Sequence, residues 1–239
     1  KGNAASKDSE VGPPERLQWL GSPRWSRHHD RMASMSAKVS AKGRLFYIMD
    51  EGSRTSILLP SKFQLIARDA FNGTVLWKKP IEQWSTNLWP LKTGPTSLTR
   101  RLVADGERIF VTMGVTAPVS MLDAANGAEL NVFPETKGAE ELLYSDGVLY
   151  ALVNPAAEWV LKDFAPQQQS DQKRVSDEYE WDQKPRVLMA VDPDKGTILW
   201  KIEGLVAPLT PSVDGKRFVY YDGEKIHCLD AKSGTELWA

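Results

Sequence analysis

The sequence predicts an all-β chain assembled from four copies of one four-stranded unit. Three observations carry that reading. A phrase with turn-forming residues at fixed spacing recurs four times, and a second turn-plus-strand phrase stands ahead of each copy. The third is that the 3.6-residue apolar period a helix needs is nowhere sustained.

The recurring phrase runs Ala67–Trp77, Met121–Asn131, Ala190–Trp200 and Cys228–Trp238. Asp69, Asp123, Asp192 and Asp230 are each followed, after three residues, by Gly73, Gly127, Gly196 and Gly234. After three more come Trp77, Trp200 and Trp238, with Asn131 in the tryptophan slot of the second copy. This is the chemistry of a hairpin. The Asp ends one strand and its carboxylate accepts backbone N–H groups in the turn, the Gly supplies a positive φ, and the short apolar run opens the partner strand.

The second phrase is Ala41–Tyr47, Ala104–Val111, Ser145–Tyr150 and Val213–Tyr220, a turn signal followed by β-branched and aromatic residues. Each unit therefore reads as strand A, tight turn, strand B, loop, strand C, tight turn, strand D. The units occupy 34–80, 97–133, 139–203 and 209–239, behind a polar lead-in over 1–33. Up-and-down order puts both tight turns on one face and the B–C and D–A connections on the other. Every long insertion falls on that second face: 49–63, 154–186 and the link 81–96. Long loops on a rigid scaffold are where binding is usually carried, so this face is the expected working surface.

Composition narrows the function. Thirty basic and 31 acidic residues leave a net charge of −1, so no global field attracts nucleic acid. No 18-residue apolar run spans a bilayer. The single cysteine, Cys228, excludes an internal disulfide and any multi-cysteine metal site, and its slot holds Ala67, Met121 and Ala190 in the other copies, which marks it as a core residue. The chain begins at Lys1 without Met and stops at Trp238-Ala239 within an apolar pattern, so we expect it to be part of a longer protein.

The phrase Ala-x-Asp-x-x-x-Gly-x-x-x-Trp resembles the repeat of pyrroloquinoline quinone (PQQ)-type β-propellers, over residues 34–239. The resemblance implies four PQQ-like blades, part of a propeller of seven or eight in that family, with Trp77, Trp200 and Trp238 packed against neighbouring blades. The segment 17–60 is also similar to planctomycete PQQ-like propeller proteins. The family contains quinoprotein dehydrogenases and a non-enzymatic lipoprotein that scaffolds outer-membrane assembly, which implies a bacterial, extracytoplasmic (periplasmic or envelope) location. The dehydrogenases hold PQQ beneath a disulfide between adjacent cysteines, beside calcium and a catalytic Asp; one cysteine makes that pair impossible here. The expected function is accordingly a binding or scaffolding module for a protein, glycan or small ligand. The alternative is a PQQ-dependent alcohol or sugar oxidoreductase fragment, with PQQ and calcium as cofactors.

No phosphate loop, nucleophile elbow or catalytic carboxylate spacing stands out, so no catalytic residue is assigned. The candidate ligand-binding residues are Arg24, His28, His29, Arg31, Arg68, Trp84 and Trp89. Arg24, His28, His29 and Arg31 belong to a dense polar cluster suited to an anion, although neighbouring residues of an extended segment point to opposite sides and make His28 and His29 a poor chelate. Packing of this lead-in on the first blade, anchored by Trp19 and Trp25, is the competing structural explanation. Arg68 interrupts a column that otherwise holds Leu122, Val191 and Leu229, and a buried Arg needs a carboxylate or several acceptors. Trp84 and Trp89 lie on the long-loop face and suit stacking on a sugar, quinone or peptide, or packing between blades.

Overall fold

The fold is clearest from its tight turns. In the computed structural model, which describes residues 19, 35–53, 55, 59–82, 84, 96–156 and 181–239, each repeated Asp folds the chain back in the same way. Asp69 Oδ1 accepts the amides of Phe71 and Asn72 at 2.8 and 2.9 Å. Asp123, Asp192 and Asp230 repeat the pair two and three residues on. Gly73, Gly127, Gly196 and Gly234 then take φ values of 68–77°, a region closed to most side chains.

These turns build four antiparallel sheets whose strands lie side by side in chain order. The first holds β1 (Met35–Ala41), β2 (Arg44–Asp50), β3 (Phe63–Asp69) and β4 (Val75–Ile81). The second holds β5 (Leu102–Asp105), β6 (Arg108–Thr112), β7 (Val119–Asp123) and β8 (Glu129–Phe133), entered through a 3-10 helix at Thr96–Arg101. The third holds β9 (Ala139–Ser145), β10 (Val148–Val153), β11 (Arg186–Asp192) and β12 (Thr197–Gly204). The fourth holds β13 (Ser212–Asp214), β14 (Arg217–Tyr221), β15 (Ile226–Asp230) and β16 (Glu236–Trp238). The first strands touch in succession, β1 to β5 to β9 to β13, so the sheets are consecutive blades of a β-propeller with β4, β8, β12 and β16 outermost.

The core is divided among the blade junctions. One apolar cluster joins sheets one and two around Phe46, Leu65, Trp84 and Ile109. A second joins sheets two and three around Phe110, Phe133 and Leu149, and a third joins three and four around Tyr150, Trp200 and Phe218. Strand alternation produces this arrangement, because successive residues face opposite neighbours: Met121 packs toward sheet three and Leu122 toward sheet one.

Every outer strand breaks that alternation at the same place. Trp77 pairs with Ala67 while Val75 pairs with Arg68, leaving Leu76 as a bulge, and Leu130, Leu199 and Leu237 repeat it. The extra residue turns these leucines outward, where they are 42–53% exposed, and aims the next side chain at the following blade. Trp77 Nε1 donates to the Ala124 carbonyl at 3.1 Å and Trp200 Nε1 to the Ala231 carbonyl at 2.9 Å. Asn131, in the second copy, lies against Gly196, and the ion pair from Arg108 to Asp194, 2.6 Å, also bridges that junction. Trp238, on the last outer strand, is 51% exposed, and no blade among the described residues lies beyond it.

Candidate functional site

Most of the buried polar and charged side chains, Arg68 apart, gather at one end of the blades. Asp50, Arg101, Thr112, Thr136, Glu140, Glu141, Asn154 and Arg186 are all buried, and all lie at the strand ends or connections of the long-loop face. Ionic groups in a protein interior need partners, and here the partners tie loops down. Asp50 Oδ1 accepts the amides of Gly52 and Lys62, both at 2.8 Å, which closes the B–C loop of the first blade. Glu140, at the head of β9, accepts from Arg186 Nε at 2.7 Å and from Asn154 Nδ2 at 3.1 Å. Those two residues flank the insertion between β10 and β11, so a single carboxylate clasps both of its ends. Arg186 Nη1 also donates to Asp182 and to the Lys184 carbonyl, each at 3.0 Å. Arg101 donates to the Val115 carbonyl at 2.7 Å, and burial pushes its guanidinium down to about 10 against the opposing pull of Glu140.

Beside this layer a cavity of about 740 Å³ runs along the first strands of all four blades. Thr99, Arg100, Leu209, Thr210 and Pro211 line its long-loop end, and Asp105 and Ser145 its tight-turn end. At the first end Glu141 joins three blades. Its Oε2 accepts the Leu209 amide at 2.8 Å, from the connection into β13, and its Oε1 lies 3.1 Å from Arg100 Nη1, from the 3-10 helix before β5. Leu209 holds φ +68°, a strained setting for a branched side chain. Burial raises the Glu141 carboxyl to about 7; the Leu209 amide and Arg100 oppose the rise and Glu140 adds to it.

The residues expected from the sequence fall differently. Arg24, His28, His29, Arg31 and Trp89 lie outside the described residues. Trp84 is 2% exposed, with its indole N–H donating to Ser36 Oγ at 2.6 Å, and its ring belongs to the core between blades one and two. Arg68 is buried at the tight-turn end; its Nε donates to Tyr47 Oη at 2.7 Å and its Nη1 to the Gly73 carbonyl at 2.6 Å. Its slot explains the exception. Leu122, Val191 and Leu229 face a preceding blade, whereas Arg68 faces the side from which Trp19 reaches the Ala70 carbonyl. Arg100, Glu140, Glu141 and Arg186 were not singled out by sequence. The adjacent acids Glu140-Glu141 opening an otherwise apolar strand were the available signal.

This geometry and repeat resemble those of PQQ-type propeller proteins. Residues 184–239 match a family model described as outer membrane protein assembly factor BamB. No curated protein matches the chain in sequence. Among solved structures the chain is similar to a europium-containing methanol dehydrogenase, with a TM-score of 0.51 and 14% identity over 93% of this chain and 45% of that one. It is similar to an acylaminoacyl peptidase of Pyrococcus horikoshii, with a TM-score of 0.52 and 12% identity over 90% and 34% of the two chains. The match to BamB of Moraxella catarrhalis has a TM-score of 0.48 and 11% identity over 87% and 54%. The chain thus spans about half or less of the length of these structures. Identities this low establish the fold alone, and one fold hosts unrelated activities.

Among the described residues no three His, Cys, Asp or Glu side chains are placed to hold a metal ion, and Cys228 is buried in β15. Nor is any helix among them long and apolar enough to cross a membrane.

Proposed function

We propose that the chain is a binding or scaffolding module that uses the long-loop face of its propeller blades to hold a protein, glycan or small ligand outside the cytoplasm. The observation that carries this reading is the buried ionic layer around Glu140, Glu141 and Arg186, which stiffens that face and borders the cavity. Buried charge costs stability, and a face that retains it where apolar packing would serve has a reason beyond folding. The match of residues 184–239 to an outer-membrane assembly factor supports the extracytoplasmic location.

The test is a thermal-shift screen against small carboxylates, oligosaccharides and extended peptides, followed by mapping of each hit. Substitutions on the long-loop face, such as Arg100→Glu and Thr210→Lys, should weaken the hit. Substitutions on the tight-turn face, such as Lys232→Glu and Lys42→Glu, should not. A hit mapping only to the tight turns would overturn the reading. Titration with PQQ and calcium, followed by tryptophan fluorescence, separates the alternative: stoichiometric uptake with dye-linked alcohol or sugar oxidation would make the protein an oxidoreductase.

A further inference from the structure

We propose that the Arg100 end of the inner cavity is a binding site for a small carboxylate, whose carboxyl group takes the place of Glu141 on the Arg100 guanidinium. This deepens the reading of the long-loop face and rests on it.

Three observations lead here. The Arg100 side chain is 41% exposed and supplies the only cation among the described residues lining the cavity. Glu141, only 1% exposed, stands behind it, and its Oε1 makes no hydrogen bond even though Arg100 Nη1 is 3.1 Å away. The ion pair is therefore close but poorly aligned, and the exposed part of Arg100 lies on the cavity wall. The walls beyond, with Leu102, Leu143 and Val213 beside Ser40, Thr210 and Ser212, suit a ligand with an apolar body and a polar rim.

The exchange balances through one proton. Two ionised carboxylates crowded at one guanidinium in a poorly solvated site repel each other, so one takes up a proton. Glu141 is the one prepared for it. Its Oε2 keeps the Leu209 amide, while its Oε1 accepts a proton from solvent and donates that O–H to the incoming carboxylate. The charges that act on Glu141 are Arg100 from the 3-10 helix and Glu140 on its own strand, and the connection into β13 adds only the Leu209 amide. Asp105, the other charged group of the lining, lies at the far end of β5. Binding above neutral pH thus consumes one proton per ligand, and binding well below it consumes none.

The experiment is isothermal titration of the intact chain with benzoate and succinate, using benzamide as the uncharged control, in buffers of different ionisation enthalpy at pH 5.5, 7 and 8. The expected result is saturable carboxylate binding with no benzamide binding, proton uptake near one at pH 8 that vanishes at pH 5.5, and affinity falling about tenfold per pH unit above 7. Glu141→Gln should bind without proton uptake and independently of pH. Arg100→Gln, at a half-exposed position that tolerates the change, should lose at least tenfold in affinity, and Arg100→Lys should recover part of it. Absence of saturable binding, or proton uptake that persists in Glu141→Gln, would overturn the proposal. Carboxylate binding that ignores Arg100 but responds to other long-loop substitutions would also overturn it, while leaving the broader reading of that face intact.

Discussion

The indole of Trp19 covers Gly73 so closely that a methyl group there would stand 2.6 Å from Trp19 Cδ2, and its Nε1 donates to the Ala70 carbonyl at 3.0 Å. Trp77 stands in the same relation to Gly127 and Ala124, and Trp200 to Gly234 and Ala231. The lead-in thus gives the first blade what each tryptophan-bearing blade gives its successor. Gly73→Ala should cost roughly 1–3 kcal/mol, from the left-handed backbone and the ring contact together, and Trp19→Ala a similar amount. The double variant should cost less than their sum, because both remove one contact. Urea denaturation of the three variants reads this directly.

The junction between the second and third blades lacks the indole. Asn131 sits where Trp77 and Trp200 sit, and the Pro193 carbonyl holds the sequence position of the Ala124 and Ala231 acceptors. Asn131→Trp should therefore stabilise the protein by about 0.5–2 kcal/mol, whereas Trp200→Ala should cost about 3–5 kcal/mol. A fall in the urea midpoint of Asn131→Trp would show that this junction is built on different terms.

Glu140 and Arg186 form a buried pair, with side chains 8% and 3% exposed. Removing one charge strands the other, so Glu140→Ala should cost about 3–5 kcal/mol. It should also release the clasp on the β10–β11 insertion, read as faster amide exchange at Ala156 and Lys184. Loss of stability without faster exchange there would confine the carboxylate to the core.

Glu141 gives stability an acid-side signature. Its folded carboxyl is raised to about 7 from an ordinary 4.5, so the ionised form is disfavoured by folding. The cost is fully present above pH 7 and disappears as pH falls toward 4.5, a gain of at most about 3 kcal/mol on acidification. In Glu141→Gln this rise in stability from pH 7.5 to 5 should flatten. An unchanged slope would place the titration elsewhere.

His227 shifts stability in the same direction, but by attraction between charges rather than by burial. Its Nε2 lies 2.8 Å from Asp222 Oδ2 and its Nδ1 3.2 Å from Glu236 Oε2, and these carboxylates raise its pKa, Asp222 foremost. That contribution is fully present below about pH 6.5 and lost as pH rises through the folded value. Asp222 is held well below the usual carboxylate range by the Lys225 amide, His227 and the Glu224 amide, so its contribution persists above the ordinary 3.8 and is lost only in strong acid. A proton NMR titration should place the His227 imidazole above 6.5, and His227→Gln should remove the alkaline loss of stability.

The repeating unit was legible because its turn chemistry is local: an Asp, a Gly and their spacing suffice to close a hairpin, and the strands follow. The bulge at Leu76, Leu130, Leu199 and Leu237 was not, since simple alternation gives no warning of an extra residue until pairing is seen. Arg68 was visible as an anomaly in an apolar column, but its meaning depended on which neighbour that column faces. Arg100 and Glu141 escaped notice for a similar reason. Their relation crosses from one blade to the next, and nothing in the local sequence of either residue records the other.

The bulge also bears on solubility. Among the described residues β4, β8, β12 and β16 each end their sheet with an unpaired flank, the kind of rim onto which a stray strand adds to begin a polymer. At Leu76, Leu130, Leu199 and Leu237 the rim is kinked, one residue short of Trp77, Asn131, Trp200 and Trp238. An incoming strand that matched the ladder on one side of the kink would be out of step on the other. The irregularity that turns each indole toward its neighbour thus leaves the outer circumference a poor template for aggregation.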